Sequence, residues 1–258
     1  MNAEVRVEIA DRVATVTLDR PPVNALSSGF YRELSAAMER VGADAQASVM
    51  VLTSASERAF CAGGDLKERQ GMTDETWAAQ HLLFERMIRA LIGCPVPVIG
   101  AINGAAYAGG CELALCCDFL YAAETARFAL TEVTLGIMPG AGGTQNLPRA
   151  VGERRAKEII LTGRPFSAEQ AYEWGIVNKL CEPERTLDDA LEVARAICAN
   201  APLSVRQAKQ AIHHGLQMDL HTGTFFEIEA YNRLVPTKDR LEGVRAYNEK
   251  RKPNFTGS

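Results

Sequence analysis

The feature that most constrains this chain is a change of texture partway along it. Up to about residue 141, short apolar runs of strand length alternate with glycine-bearing loops and helices; from about Gly142 onward strand signals nearly stop. Residues 5–9 and 13–18 alternate apolar and polar side chains around Ala10-Asp11-Arg12, which reads as a β-hairpin. Arg20-Pro21-Pro22 ends its second strand, because proline cannot donate to a ladder. Ser27 or Ser28 can cap a helix to about Val41, with Leu34, Ala37, Met38 and Val41 at helical spacing. Residues 49–53 and 96–102 read as short buried strands. Between them lies an amphipathic helix over about 74–91, stopped by Gly93 and the Pro95/Pro97 pair. An apolar helix is expected over 111–117, and short strands over 119–122 and 126–128. Beyond residue 142, helices are expected over 151–161, 168–174, 187–199, 203–215, 225–233 and 239–250, interrupted by one strand at 177–181. The fold class is therefore α/β, with an N-terminal part built of ββα-like turns and a helical C-terminal part.

A length of 258 residues suits one large domain, and no polar linker or fixed-period repeat divides it. A net charge of -4 argues against a general nucleic-acid binder, which carries a basic stripe. Apolar stretches such as 94–102 fall short of the roughly 20 residues a membrane span needs. Met1-Asn2-Ala3-Glu4-Val5 lacks a basic region followed by an apolar run, so a cytoplasmic protein is expected. The 7 cysteines are scattered without a CxxC or a Cys/His cluster, and Cys116 adjoins Cys117. They read as free thiols used as small hydrophobes, and no metal site is expected.

Two glycine pairs, Gly63-Gly64 and Gly109-Gly110, precede helical patterns. The first N–H groups of a helix lack intrahelical acceptors, and glycine lets another group come close to the backbone. Two such sites can aim two N–H groups at one carbonyl oxygen. Neither pair is followed by the Gly-Lys-Ser/Thr of a phosphate loop, and neither matches GxGxxG; taken alone, either could serve only a tight turn. Two carboxylates lie shortly after. Glu112 sits inside Cys111-Glu112-Leu113-Ala114-Leu115-Cys116-Cys117, and Glu132 inside Leu130-Thr131-Glu132-Val133. A carboxylate among apolar neighbours is costly unless paired or neutralised, and two of them in a partly dry pocket can divide into an acid and a base. Each alone reads more simply as a cap or a surface residue.

Three segments together resemble a known family. Residues 59–67 (Ala-Phe-Cys-Ala-Gly-Gly-Asp-Leu-Lys), 103–114 (Asn-Gly-Ala-Ala-Tyr-Ala-Gly-Gly-Cys-Glu-Leu-Ala) and 139–145 (Pro-Gly-Ala-Gly-Gly-Thr-Gln) look like the signature segments of the crotonase, or enoyl-CoA hydratase/isomerase, superfamily. The likeness runs through essentially the whole chain. It implies the crotonase fold, with a ββα core over residues 1–200 and a helical trimerisation region over 201–258, in a homotrimer or a hexamer of paired trimers. It implies an acyl-CoA substrate whose thioester oxygen is held by the N–H groups of Gly64 and Gly109. Glu112 and Glu132 match the two catalytic glutamates of the hydratase branch, with their division of labour open. Gly64, Asp65, Leu66, Lys67 and Gly109 would follow the substrate, Lys67 as a phosphate contact. No cofactor is implied, since coenzyme A belongs to the substrate. Cys61 and Gly64 depart from the alanine or serine, and alanine, of many members, at positions where only the backbone is expected to act. Asn146 stands where arginine is common.

Residues 65–69, 215–223 and 235–243 look especially like the methylglutaconyl-CoA hydratase branch, whose animal member also binds AU-rich RNA. That implies interconversion of 3-methylglutaconyl-CoA and 3-hydroxy-3-methylglutaryl-CoA in leucine catabolism; the alternative is a general short-chain enoyl-CoA hydratase of fatty-acid oxidation. A dicarboxylic acyl chain needs a cation or donors at its far end. Arg69, His81 and Arg86 are the options, and sequence does not choose among them. Nucleic acid is not expected, because residues 49–67 set Arg58 and Lys67 against Glu57 and Asp65.

Overall fold

The computed structural model describes residues 4–258, so the reading of Met1, Asn2 and Ala3 as no leader lies outside the described residues. Strands β1 (Val5–Ala10) and β2 (Val13–Leu18) form the expected antiparallel hairpin. Asp11 and Arg12 both adopt positive φ at its two-residue turn, the backbone that matches strand twist. Helix α1 (Ser28–Ala43) is capped by Ser27, whose side chain accepts from the Phe30 N–H. After it come β3 (Val49–Ser54), β4 (Ala59–Cys61), the single turn α2 (Leu66–Arg69) and the long α3 (Asp74–Ile92). Then follow β5 (Val98–Ile102), β6 (Ala105–Tyr107), α4 (Gly109–Leu115), β7 (Phe119–Ala123) and β8 (Arg127–Ala129).

These strands make two sheets. The larger is six-stranded in the order β1-β2-β3-β5-β7-β10, where β10 is Lys179–Cys181. From β2 to β10 every neighbour is parallel, and all of β3 and β5 is buried. Helices cover both faces of such a sheet, which is why its central strands read as continuous apolar runs rather than alternating ones. On one face α1 and α3 pack together. On the other, Ala190 and Ala194 of α8 (Thr186–Cys198) sit against Val13, Val49, Val51, Ile99 and Ala101. The smaller sheet has the order β4-β6-β8-β9, with β9 (Phe166–Ser167) added antiparallel to three short parallel strands.

Between β8 and β10 lie α5 (Gly143–Val151), α6 (Glu153–Thr162) and α7 (Ala168–Glu173). The chain ends in α9 (Pro202–Gly215), α10 (Leu220–Asn232) and α11 (Lys238–Asn248). Several expectations need correction. The helix expected over 151–161 starts at Glu153, because Gly152 at φ +80° breaks it from α5, which was not foreseen and tolerates Pro148 inside it. The strand expected from residue 96 begins at Val98, two residues later, leaving the Pro97 carbonyl to accept from the Met50 N–H. Strands β4, β6 and β9 were not anticipated at all. The helical C-terminal region is present. Lys209 of α9 fastens it to the core, donating to the Val96 carbonyl at 2.9 Å and to Asp118 at 2.7 Å. Its outer surface exposes Leu216, Leu220, Phe225, Tyr231 and Tyr247. All seven cysteines are free thiols, five of them buried. Among the described residues, no helix is long and apolar enough to cross a membrane and no group of three His, Cys, Asp or Glu side chains is placed to hold a metal.

Candidate active site

The parallel strands β4, β6 and β8 lie side by side, and the segments leaving their C-terminal ends supply the candidate residues: Gly64 after β4, Gly109 after β6, Glu132 after β8. Glu112 follows one turn into α4. The first two loops are pressed together because their glycines lack side chains. A Cβ on Gly63, at φ +86°, would lie 2.9 Å from the Tyr107 carbonyl oxygen, and one on Gly110 would lie 2.1 Å from the Cys61 carbonyl oxygen. Ala108, between the strand and α4, sits at φ +49° and ψ −126°, a strained backbone of the kind found where a site is held in shape. Neither the Gly64 nor the Gly109 N–H is engaged by a backbone acceptor among the described residues.

The two glutamates face one cavity of about 580 Å³ that also exposes Gly64 and Gly109. Glu112 is 1% exposed, and its Oε1 accepts from the Ala141 N–H at 2.7 Å and the Gly143 N–H at 2.9 Å. Burial is the largest influence on it and raises its pKa to about 7; the two N–H groups pull the other way, and the Glu132 charge pushes it further up. Glu132 opens a single 3₁₀ turn, Glu132–Leu135, and is 6% exposed. Both its carboxylate oxygens are buried and accept no hydrogen bond from the protein. Burial raises its pKa too, while the Arg69 charge partly offsets the rise. Two carboxyl groups thus share a low-dielectric pocket, one held by backbone amides and one free to engage another molecule.

The rest of the cavity wall is largely apolar, with Tyr31, Trp77, Phe84, Leu135, Ile137 and Met138, together with Arg69 and His81. The structure thus separates the three options for the far end of an acyl chain: Arg69 and His81 line the cavity, whereas Arg86 pairs with Glu39 on the surface at 3.0 Å. The Asp65 carboxylate is already occupied, capping α2 through the Lys67 and Glu68 N–H groups and pairing with Arg20 at 2.8 Å. Leu66 borders the cavity and also, with Lys67, the adjoining groove beside Arg20, Pro21 and Pro22. Asn146 makes no ion pair; its Nδ2 donates to the Cys116 sulfur at 3.2 Å. That the Ala141 and Gly143 amides of the 139–145 segment hold Glu112 shows only in the fold. Tyr31, Trp77 and Gln80 carry no local sequence signal, because only the tertiary fold brings α1 and α3 over the cavity.

A model of the enoyl-CoA hydratase/isomerase family matches residues 8–258. Among similar proteins, the short-chain-enoyl-CoA hydratase of Clostridium acetobutylicum is 40% identical over 96% of this chain and 95% of its own length. The crotonyl-CoA hydratase of Syntrophomonas wolfei is 36% identical over 96% of both. The crystal structure of an enoyl-CoA hydratase from Bacillus anthracis superposes with a TM-score of 0.96 at 45% identity, covering 99% of this chain and 100% of the other.

Proposed function

This chain belongs to the enoyl-CoA hydratase/isomerase family, and we propose that it adds water across, or removes it to form, the C2=C3 bond of an acyl-CoA thioester through Glu112 and Glu132. The thioester oxygen sits against the Gly64 and Gly109 N–H groups. Water oxygen bonds to C3, the C2=C3 π pair moves toward the thioester oxygen, and the resulting enolate oxygen is held by those two amides. Such a donor contributes about 3–4 kcal/mol to an oxyanion transition state. One glutamate takes a proton from the water while the other delivers one to C2, so the enzyme ends with as many protons as it started. No redox step occurs, and no cofactor is needed beyond the coenzyme A of the substrate. Asp65, Leu66 and Lys67 border the groove that receives the rest of the coenzyme.

The observation that carries this reading is the pairing of a backbone-held Glu112 with a hydrogen-bond-free Glu132 in one cavity with both glycines. The test is loss of the ultraviolet absorbance of the conjugated thioester on adding enzyme to crotonyl-CoA. Glu132→Gln is expected to lower turnover by about 10²-fold or more, the size of a lost general acid–base contribution. A wild-type rate in that variant would refute the mechanism.

For the acyl group we propose 3-methylglutaconyl-CoA, with 3-hydroxy-3-methylglutaryl-CoA as the hydrated partner, in branched-chain degradation. Residues 65–69, 215–223 and 235–243 support it. The apolar wall and relatives named for short-chain and crotonyl substrates favour a second reading, a general short-chain hydratase. The exposed apolar side chains of α9 to α11 support assembly as a homotrimer or hexamer.

A further inference from the structure

Arg69 lies in a largely apolar wall of the cavity that holds Glu112 and Glu132. Its guanidinium is fixed on two sides. Nε donates to Gln80 Oε1 at 2.9 Å, and Cζ lies 4.7 Å from the Trp77 ring centroid. Gln80 is only 3% exposed and is held in turn, its Nε2 donating to Ser28 Oγ and Glu68 Oε2, both at 3.0 Å. Among the described residues no carboxylate pairs with Arg69. Glu132 feels its charge, yet neither Glu132 oxygen accepts a hydrogen bond from it.

The space Arg69 occupies exists because residue 64 is glycine. A Cβ there would lie 2.8 Å from Arg69 Cζ and 2.9 Å from one terminal nitrogen, closer than atoms pack. Gly64 lines the cavity, and its missing side chain lets the guanidinium lie against it. Arg69 is half-buried and has no carboxylate in direct contact, so an acyl chain ending in a carboxylate would give it a partner that a neutral enoyl chain does not. A planar guanidinium held by Nε and one face, with the Tyr31 hydroxyl close by, still presents its terminal amino edge to the cavity, the side that matches a carboxylate.

We propose that Arg69 is the specificity-determining residue of the cavity, selecting acyl thioesters whose chain ends in a carboxylate, and that Gly64 lacks a side chain to make room for it. This rests on the hydratase reading for its catalytic assay, but binding tests it independently. In the assay, kcat/KM is measured for 3-methylglutaconyl-CoA and crotonyl-CoA with the unaltered enzyme, Arg69→Met, Arg69→Lys and Gly64→Ala. Arg69→Met is expected to lower the ratio of the two kcat/KM values by about 10²-fold, as truncating one member of a buried charge pair does. Arg69→Lys recovers part of the ratio. Gly64→Ala keeps its N–H, displaces the guanidinium and moves the ratio in the same direction. Equal losses on both substrates in Arg69→Met would place Arg69 behind Glu132 and overturn the proposal. An unaltered protein that hydrates neither thioester defeats the hydratase reading itself. Calorimetric binding of the non-reacting thioesters glutaryl-CoA and butyryl-CoA then decides about Arg69. A glutaryl preference lost in Arg69→Met sustains the proposal, and the same Kd ratio in both proteins overturns it.

Discussion

Replacing Glu112 by Gln should stabilise the folded protein progressively relative to the wild type as pH rises from about 5 to about 8, while lowering turnover. In the wild type, burial lifts the Glu112 pKa from 4.5 to about 7. The unfolded chain releases that proton near pH 4.5, and the folded chain holds it until about pH 7. Between those limits the native state binds more protons than the unfolded state, so stability falls as pH rises. At about 1.4 kcal/mol per tenfold change in proton affinity, the full loss is roughly 3 kcal/mol and is complete above about pH 7. Glutamine does not titrate. Its side-chain oxygen can still accept from the Ala141 and Gly143 N–H groups, and the strengthening of those bonds when Glu112 ionises is already contained in its folded-state pKa. Because part of the loss falls below pH 5, the stability of Glu112→Gln minus that of the wild type should rise by about 2.5 kcal/mol from pH 5 to pH 8. Urea unfolding at fixed protein concentration, repeated across that range, measures it. Turnover of an enoyl thioester should drop about 10²-fold or more in the same variant. A stability difference flat from pH 5 to pH 8 would refute the claim that burial holds the Glu112 proton.

Two further substitutions test the frame. Gly110→Ala places a methyl 2.1 Å from the Cys61 carbonyl oxygen, which has no room to yield between two backbone segments. A loss of about 3 kcal/mol or more in stability is expected, with loss of turnover, and a variant that melts like the wild type would show that the glycine loops are not in contact. Lys209→Met leaves Asp118 and the Val96 carbonyl without their shared donor, so it should cost about 2 kcal/mol and speed proteolytic cleavage around residues 199–202. An unchanged melt and cleavage rate would mean that α9 is held by other contacts.

The parts of the fold that were legible in sequence are those whose periodicity is local. The hairpin with its Asp11-Arg12 turn, the Ser27 cap, α3 and the buried β3 all follow from patterning within a dozen residues. Of the site, the glutamates and glycines were legible as odd residues, carboxylates in apolar runs and paired glycines before helices. What escaped was short or distant. Strands β4 and β6 are three residues each, too brief to show alternation, and their ladders are made only with each other and with β8. Arg69 was one of three indistinguishable options until α3 brought Gln80 and Trp77 to it, leaving Arg86 on the outside with Glu39.

Those inconspicuous strands have a consequence for how such a protein can change. Neighbouring strands are separated by a fixed spacing of roughly 5 Å. Because Gly64, Gly109 and Glu132 each leave the end of one of three adjacent parallel strands, the small sheet acts as a ruler: the separation of the two amides and the carboxylate is inherited from its pitch. The chain between β4 and β6 travels through α2, α3 and β5 and returns to the same ruler mark. Insertions or deletions in that excursion would reshape the cavity wall around Arg69, Trp77, His81 and Phe84 while leaving the three strand ends where they are. Much of the wall around Arg69 thus belongs to a segment that can vary in length without altering the strands that carry Gly64, Gly109 and Glu132.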